Sequence, residues 1–127
     1  MKPSEIANLF KQPGEKRYAY FLQTVSEDRQ AFGISDEEGW ALLGDDNDQD
    51  ILPLFSSALL AEAFRKSAGY EEYRVEKIEL EDLLDWLEEM ETDHMMVAIL
   101  PNSRLEGAIV EPLQLKEDLQ SRLEKNN

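Results

Sequence analysis

The chain has 127 residues, 42% of them hydrophobic, and contains no cysteine. A chain of this length can bury a core as one domain, and the missing cysteines exclude disulfides, thiolate metal sites and cysteine nucleophiles. The formal net charge of −15 argues against direct binding to nucleic acid or to an anionic membrane, because those partners are negatively charged themselves.

The N-terminal part of the chain predicts two helices. Ser4 is a suitable N-cap for a short helix that reaches Phe10, and Pro13 suits the first turn of a second helix. Four apolar residues of the second helix have the spacing of one helical face, namely Tyr18, Phe21, Leu22 and Val25. We expect this face to belong to the core.

Short strands are predicted between residues 30 and 55. The segments QAFGI, WALLG and DILPLF are short apolar runs, and clusters of glycine and aspartate separate them. This pattern is typical of strands joined by turns. It predicts a meander of three antiparallel strands.

A third helix is expected after residue 55. Ser56 is the predicted N-cap, and Gly69 is placed to end the helix. Its apolar stripe comprises Leu59, Leu60, Ala63 and Phe64. The segment YRVEKIEL then predicts another strand.

The C-terminal half continues with a helix, two strands and a last helix. The helix begins at Leu80, and its apolar stripe comprises Leu80, Leu83, Leu84, Leu87 and Met90. HMMVAIL is a continuous apolar run, as expected for a strand buried on both faces, and AIV follows after a turn. Pro112 opens the final helix, in which Leu115, Leu119 and Leu123 stack and Asp118 can pair with Arg122.

These elements predict one α+β domain over residues 1–127. We expect a mostly antiparallel sheet of about five or six strands with helices packed mainly on one side. Residues 1–12 are expected to form an N-terminal helix that packs loosely.

The segment GDDNDQD at residues 44–50 carries several candidate binding carboxylates, Asp45, Asp46 and Asp48. A helix-loop-helix calcium loop needs glycine at its sixth position and glutamate at its twelfth. Counted from Asp45 these positions hold Asp50 and Ser56, and the register from Asp46 fails as well. Aspartate and asparagine favour turns, so the segment predicts a turn, with weak surface binding of a divalent cation as the alternative.

His94 is the only histidine, so one chain cannot form a multi-histidine zinc site. A histidine between an acidic helix and a buried strand is usually a structural residue. The alternative is a hydrolase in which His94 works with nearby carboxylates, and it requires a pocket that holds His94 and at least two acids. The sequence has no nucleophile-elbow serine and no phosphate-binding glycine pattern, and we predict no catalytic residue, metal site or cofactor.

Two stretches carry the excess of negative charge. Residues 36–50 contain seven acids and no base, and residues 71–93 contain eleven acids and two bases. Aromatic residues lie at the edges of the predicted elements near these stretches, and we select Trp40, Phe55, Tyr70, Tyr73 and Trp86 as candidate contact residues. Tryptophan and tyrosine contribute strongly to binding when they lie at interfaces.

The chain resembles the DUF2750 family of small bacterial proteins from Arg17 to Leu123. The resemblance lies in the order of GWALLGDD, ILPLFSSALLAEAF, IELEDLLDWLEEM, MMVAILPN and IVEPLQLKEDL. It includes an aromatic residue at Trp40, Pro53 and Phe55 ahead of the middle helix, and a Pro-Leu opening of the last helix. The resemblance implies one domain, and since the family has no assigned function it transfers no catalytic residue.

The sequence favours a non-enzymatic module that engages a basic protein through an acidic surface with an aromatic centre. A carboxylate- and histidine-dependent hydrolase and a binder of a small ligand remain the alternatives. We expect a monomer or weak homodimer. The absence of a signal peptide pattern and of cysteine favours the cytoplasm.

Overall fold

The computed structural model describes residues 2–44, 49–104 and 106–125. In these ranges the chain forms helices and strands in a mixed order. The helices are α1 (Pro3–Lys11), α2 (Gly14–Asp28), α3 (Ala58–Ser67), α4 (Leu80–Thr92) and α5 (Pro112–Lys125). The strands are β1 (Gln30–Asp36), β2 (Gly39–Trp40), β3 (Leu43–Gly44), β4 (Asp50–Leu54), β5 (Arg74–Glu79), β6 (Met96–Ile99) and β7 (Ala108–Val110).

The strands form two sheets, which corrects the expected single sheet. One sheet has the order β2-β1-β5, and the other has the order β3-β4-β6-β7. Within the described ranges only the β4–β6 pair is parallel, so the α+β class and the mostly antiparallel pairing are confirmed. The sheets meet where the backbone groups of Phe32 and Phe55 exchange two hydrogen bonds of 2.8 Å.

The predicted three-stranded meander is wrong because the segment WALLG is divided between the two sheets. Trp40 pairs with Ser35 of β1, whereas Leu43 pairs with Ile51 of β4. Strand β4 then takes its second neighbour from β6, far along the chain. Pairing with distant segments therefore divides WALLG, which the sequence pattern predicts to be one strand, between two sheets.

Several predicted elements are confirmed. Strands β5, β6 and β7 and the helices from Leu80 and from Pro112 lie where the sequence places them. In α3 the buried residues are Leu60, Ala61 and Phe64, whereas Leu59 is exposed. Gly69 has a φ of +84°, and the N–H of Tyr70 donates to the carbonyl of Arg65, so glycine ends this helix.

Three helix starts differ from the prediction, and the first is that of α2, where Pro13 is the N-cap and not a residue of the first turn. The N-cap of α3 is Ser57, whose Oγ accepts from the N–H of Leu60, and Ser56 is buried one residue earlier. Helix α1 begins with Pro3, which suits a first helical position because it has no N–H, and Lys2 is its N-cap in place of Ser4. Helix α1 has no fully buried residue.

Arg17 is a buried cation that ties α2 to the loop after β6. Its side chain is only 5% exposed, and Nη1 donates to the carbonyls of Phe10 and Leu100 at 3.2 and 3.1 Å. Burial lowers the pKa of Arg17, against the opposing charge of Glu106. Leu100 has a φ of +46°, so the arginine supports a turn with an unfavourable backbone conformation.

Helix α5 packs against both α2 and α4, and Tyr18 connects α2 with α5. Its hydroxyl donates to Oδ2 of Asp118 at 2.6 Å, and Asp118 also accepts from Gln114. Arg122, the predicted partner of Asp118, donates to Gln23 of α2 instead. The Tyr18–Asp118 and Gln23–Arg122 hydrogen bonds both join α2 with α5, so they fix the position of α5 against α2.

We expect Tyr18 to make folding sensitive to alkaline pH. Burial and then the hydrogen bond and charge of Asp118 raise the pKa of Tyr18 above its ordinary value of 10.0. The unfolded chain therefore loses this proton near pH 10 while the folded chain keeps it, so stability falls as the pH rises above that value. Denaturant unfolding should show that Tyr18→Phe costs about 1 kcal/mol at neutral pH and loses less stability above pH 10 than the wild type.

Tyr20→Phe is the matched control, because it removes the same atom from the same helix without touching the bond to Asp118. Equal alkaline losses in wild type and Tyr18→Phe would show that this hydroxyl does not control the transition.

Candidate functional site

The two tryptophans of the chain meet at the molecular surface. Trp40 lies in β2 beside β1, and the adjoining β5 runs directly into α4, which carries Trp86. The antiparallel register pairs Gln30 with Glu79, so α4 begins beside the first residue of β1, and the helix packs against β1 and β5. The ring centroids of Trp40 and Trp86 are 5.3 Å apart at an interplanar angle of 71°, an edge-to-face arrangement that aromatic rings prefer.

Gly33 of β1 leaves the space that the Trp40 ring occupies. Trp40 pairs with Ser35, so Gly33 is its diagonal neighbour on the same face of the sheet. A Cβ at Gly33 would lie 2.9 Å from Cζ3 of Trp40. Glycine at this position is therefore part of how the sequence positions Trp40.

A groove with a cavity volume of about 390 Å³ opens beside the tryptophan pair. Its apolar lining comprises Trp40, Leu42, Leu52, Trp86, Met90 and Met95. Its acidic lining comprises Glu38, Glu89 and Asp93. We call these nine residues the tryptophan groove, and they come from both sheets and from α4.

The two acidic stretches of the sequence meet at this groove. Glu38 belongs to the first stretch, and Glu89 and Asp93 belong to the second. A neighbouring depression, which includes Glu38 and Glu72, joins the two stretches a second time because Ser35 pairs with Arg74 at this end of the sheet. Acids of both stretches therefore lie beside the tryptophan pair.

Helix α4 presents two different faces. Its buried face comprises Leu80, Leu83, Leu87 and Met90. The face toward the groove comprises Trp86, Glu89, Met90 and Asp93, which have the spacing i, i+3, i+4 and i+7 of one helical face. This spacing is the sequence signal that could have identified Glu89 and Asp93 as groove residues and not only as part of a solvated face.

The carboxylates at the end of α4 are placed against the helix dipole. Glu89 and Asp93 lie near its C-terminus, where the helix carries partial negative charge, and the last turn contains no basic residue. Acids at this end of a helix are unfavourable by a few tenths of a kcal/mol to about 1 kcal/mol each. Their position therefore lowers the stability of the free protein.

The other three candidate aromatic residues form a separate cluster. The ring of Phe55 lies tilted against Phe64 at a centroid distance of 5.1 Å, Phe64 stacks on Tyr70 at 5.5 Å, and Tyr70 contacts Tyr73 edge to face at 5.4 Å. Phe55 has 0% exposure, which corrects its choice as a contact residue: it packs in the core where the sheets meet. Tyr70 and Tyr73 are half-buried, and burial raises the pKa of Tyr70.

The candidate carboxylates Asp45, Asp46 and Asp48 lie outside the described residues. The described neighbours on either side are Gly44 of β3 and Gln49, and β3 pairs with β4. Gln49 donates from Nε2 to the carbonyl of His94 at 3.1 Å.

His94 lies at the end of α4 and not in the groove lining. It is exposed, has a φ of +58°, and its N–H donates to the carbonyl of Glu91, so it completes the helix terminus. The hydrolase alternative needs His94 in a pocket with two acids, and among the described residues His94 does not line the tryptophan groove. In the described ranges no three histidine, aspartate or glutamate side chains lie close enough together to hold a metal ion.

None of the helices in the described parts of the chain is both long and apolar enough to cross a membrane.

No curated protein and no solved structure matches the chain. A family model does match it over residues 18–119, and the description of that family is a protein of unknown function. The matched range includes every residue of the tryptophan groove and all strands from β1 to β7. The chain therefore belongs to the DUF2750 family.

Proposed function

We propose that the protein is a non-enzymatic interaction module that binds a basic segment of another protein in the tryptophan groove. The observation that carries the proposal is that Trp40 and Trp86 form an open aromatic surface with Glu38, Glu89 and Asp93 around it. Cations bind favourably over tryptophan rings, and nearby carboxylates add attraction for the same cation. A basic side chain therefore matches both properties of the groove.

The apolar part of the groove supports binding of a partner as well. Leu42 is 44% exposed, although it lies beside Leu52 and Met95 in the groove lining. The methionines suit such a surface because their side chains adapt to different ligands. A partner that covers this area removes apolar surface from water in addition to neutralising the acids.

The arrangement of charge in α4 also supports a binding role. Glu89 and Asp93 lie at the negative end of the α4 dipole and line the same groove as Glu38. A positively charged partner offsets this unfavourable placement when it binds. Stability lost at a functional site in this way is typical of surfaces selected for binding.

We expect Glu89→Gln combined with Asp93→Asn to have opposite effects on binding and stability. Removal of the two charges should weaken binding of a lysine- and arginine-containing peptide by about fivefold or more. The same variant should be as stable as the wild type or more stable by up to about 1 kcal/mol, since acids are removed from the helix end. Titration by tryptophan fluorescence measures the first effect, because both tryptophans lie in the groove, and urea denaturation measures the second.

Glu117→Gln combined with Glu124→Gln is the matched control. Both residues are exposed on α5 and the variant has the same net charge as the groove variant. It should bind the peptide within about twofold of the wild type, with a similar dependence on salt. Equal weakening in both variants would mean that the peptide senses only the total charge, and the proposed site would be wrong.

A further inference from the structure

Resting on the proposed function, we infer that the tryptophan groove recognises arginine side chains of its partner in preference to lysine. The inference follows from the combination of two indole rings, apolar walls and carboxylates from separate segments in one small cavity.

The size of the groove favours a single long side chain. Its volume of about 390 Å³ is near the lower end of the roughly 300–1,000 Å³ found for small-ligand pockets. A folded helix or strand of a partner is larger than this space. The segment that binds therefore inserts one side chain and leaves its backbone at the rim.

The apolar walls distinguish the two basic side chains. Leu42, Leu52, Met90 and Met95 together with the indole rings form most of the lining, so an entering cation exchanges part of its hydration for apolar contacts. A lysine ammonium is a compact and strongly hydrated charge, whereas a guanidinium is delocalised and weakly hydrated. Desolvation in this groove therefore costs less for arginine.

The geometry of the polar groups adds to the same preference. Glu38 comes from the β1–β2 turn, whereas Glu89 and Asp93 come from α4, so the carboxylates approach from two segments of the chain. The guanidinium carries five N–H donors in a plane that spreads over several directions, and its flat face stacks on aromatic rings. It can donate to carboxylates of both segments while it contacts an indole ring.

Two peptides of equal charge test the inference. One is a short glycine and serine peptide with spaced arginines, and the other has lysine at the same positions. Tryptophan fluorescence titration should give a dissociation constant about tenfold lower for the arginine peptide. Binding of both peptides with equal affinity would overturn the arginine preference and leave the proposed function standing, whereas binding of neither would overturn the proposed function itself.

The variant Trp86→Leu tests the contribution of the indole ring to binding without changing the charge of the groove. Leucine keeps an apolar wall but removes the indole face, and Trp40 remains as the fluorescent reporter. We expect the arginine peptide to fall to the affinity of the lysine peptide, while the lysine peptide changes by less than about threefold. A retained arginine preference in this variant would show that the indole of Trp86 does not provide the selectivity.

Discussion

Replacement of Phe55 by alanine should destabilise the protein by about 3–5 kcal/mol, as expected for removal of a fully buried phenylalanine. Its side chain has 0% exposure and packs against Phe64 of α3 at 5.1 Å. Its backbone exchanges two hydrogen bonds with Phe32 at the junction of the two sheets. The cavity left by the ring would therefore lie between the junction and α3, where both sheets contribute to the core.

Urea denaturation measures the loss of stability in Phe55→Ala, and two further variants serve as controls. Phe55→Leu keeps most of the apolar volume and should cost about 1–2 kcal/mol. Leu59→Ala removes an apolar side chain that is 52% exposed on the adjoining helix, and it should cost about 0.5 kcal/mol or less. A loss below about 1 kcal/mol for Phe55→Ala would contradict the core position of this ring.

The position of Phe55 also explains a limit of sequence reasoning. In the sequence the residue follows a short apolar run and precedes a helix, which resembles the edge of an element. Its backbone pairs with Phe32 of β1, in the other sheet, while its ring packs against Phe64 of α3. Local patterns contain no information about the pairing with Phe32.

Elements that depend on local patterns were predictable. The apolar run of β6, the leucine spacing of α4 and the proline that opens α5 each specify their structure within a few residues. The division into two sheets was not predictable, because Trp40 pairs with β1 whereas Leu43, three residues later, pairs with β4. Strand pairing is decided by contacts over the whole chain.

The candidate site shows the same distinction. Trp40 and Trp86 could be selected individually as aromatic residues near acidic stretches, but their contact depends on how α4 packs against β1 and β5. Leu42, Leu52 and Met95 carried no signal that separates them from ordinary core residues. They became groove residues because the two sheets and the end of α4 converge around them.

Gly33→Ala adds only one methyl group, but we expect it to displace the Trp40 ring that lines the groove. The added Cβ would lie 2.9 Å from the Trp40 ring, whereas non-bonded carbon atoms prefer about 3.5–4.0 Å. The ring must therefore move, and its edge-to-face contact with Trp86 must open. We expect a loss of about 1–3 kcal/mol in stability from overpacking. We also expect binding of basic peptides to weaken by about tenfold, because the aromatic surface loses its shape.

Gly44→Ala makes this result interpretable. Gly44 also lies in a short strand, but a Cβ there meets no atom of the described residues within 4 Å, so the same substitution adds a methyl group without a described clash. We expect unchanged stability or a gain of up to about 1 kcal/mol, and unchanged tryptophan fluorescence. If Gly33→Ala leaves fluorescence and peptide affinity unchanged as well, the Trp40 ring does not depend on Gly33. If only Gly33→Ala changes both, the glycine in β1 sets the shape of the binding surface, since it contacts Trp40 without lining the groove itself.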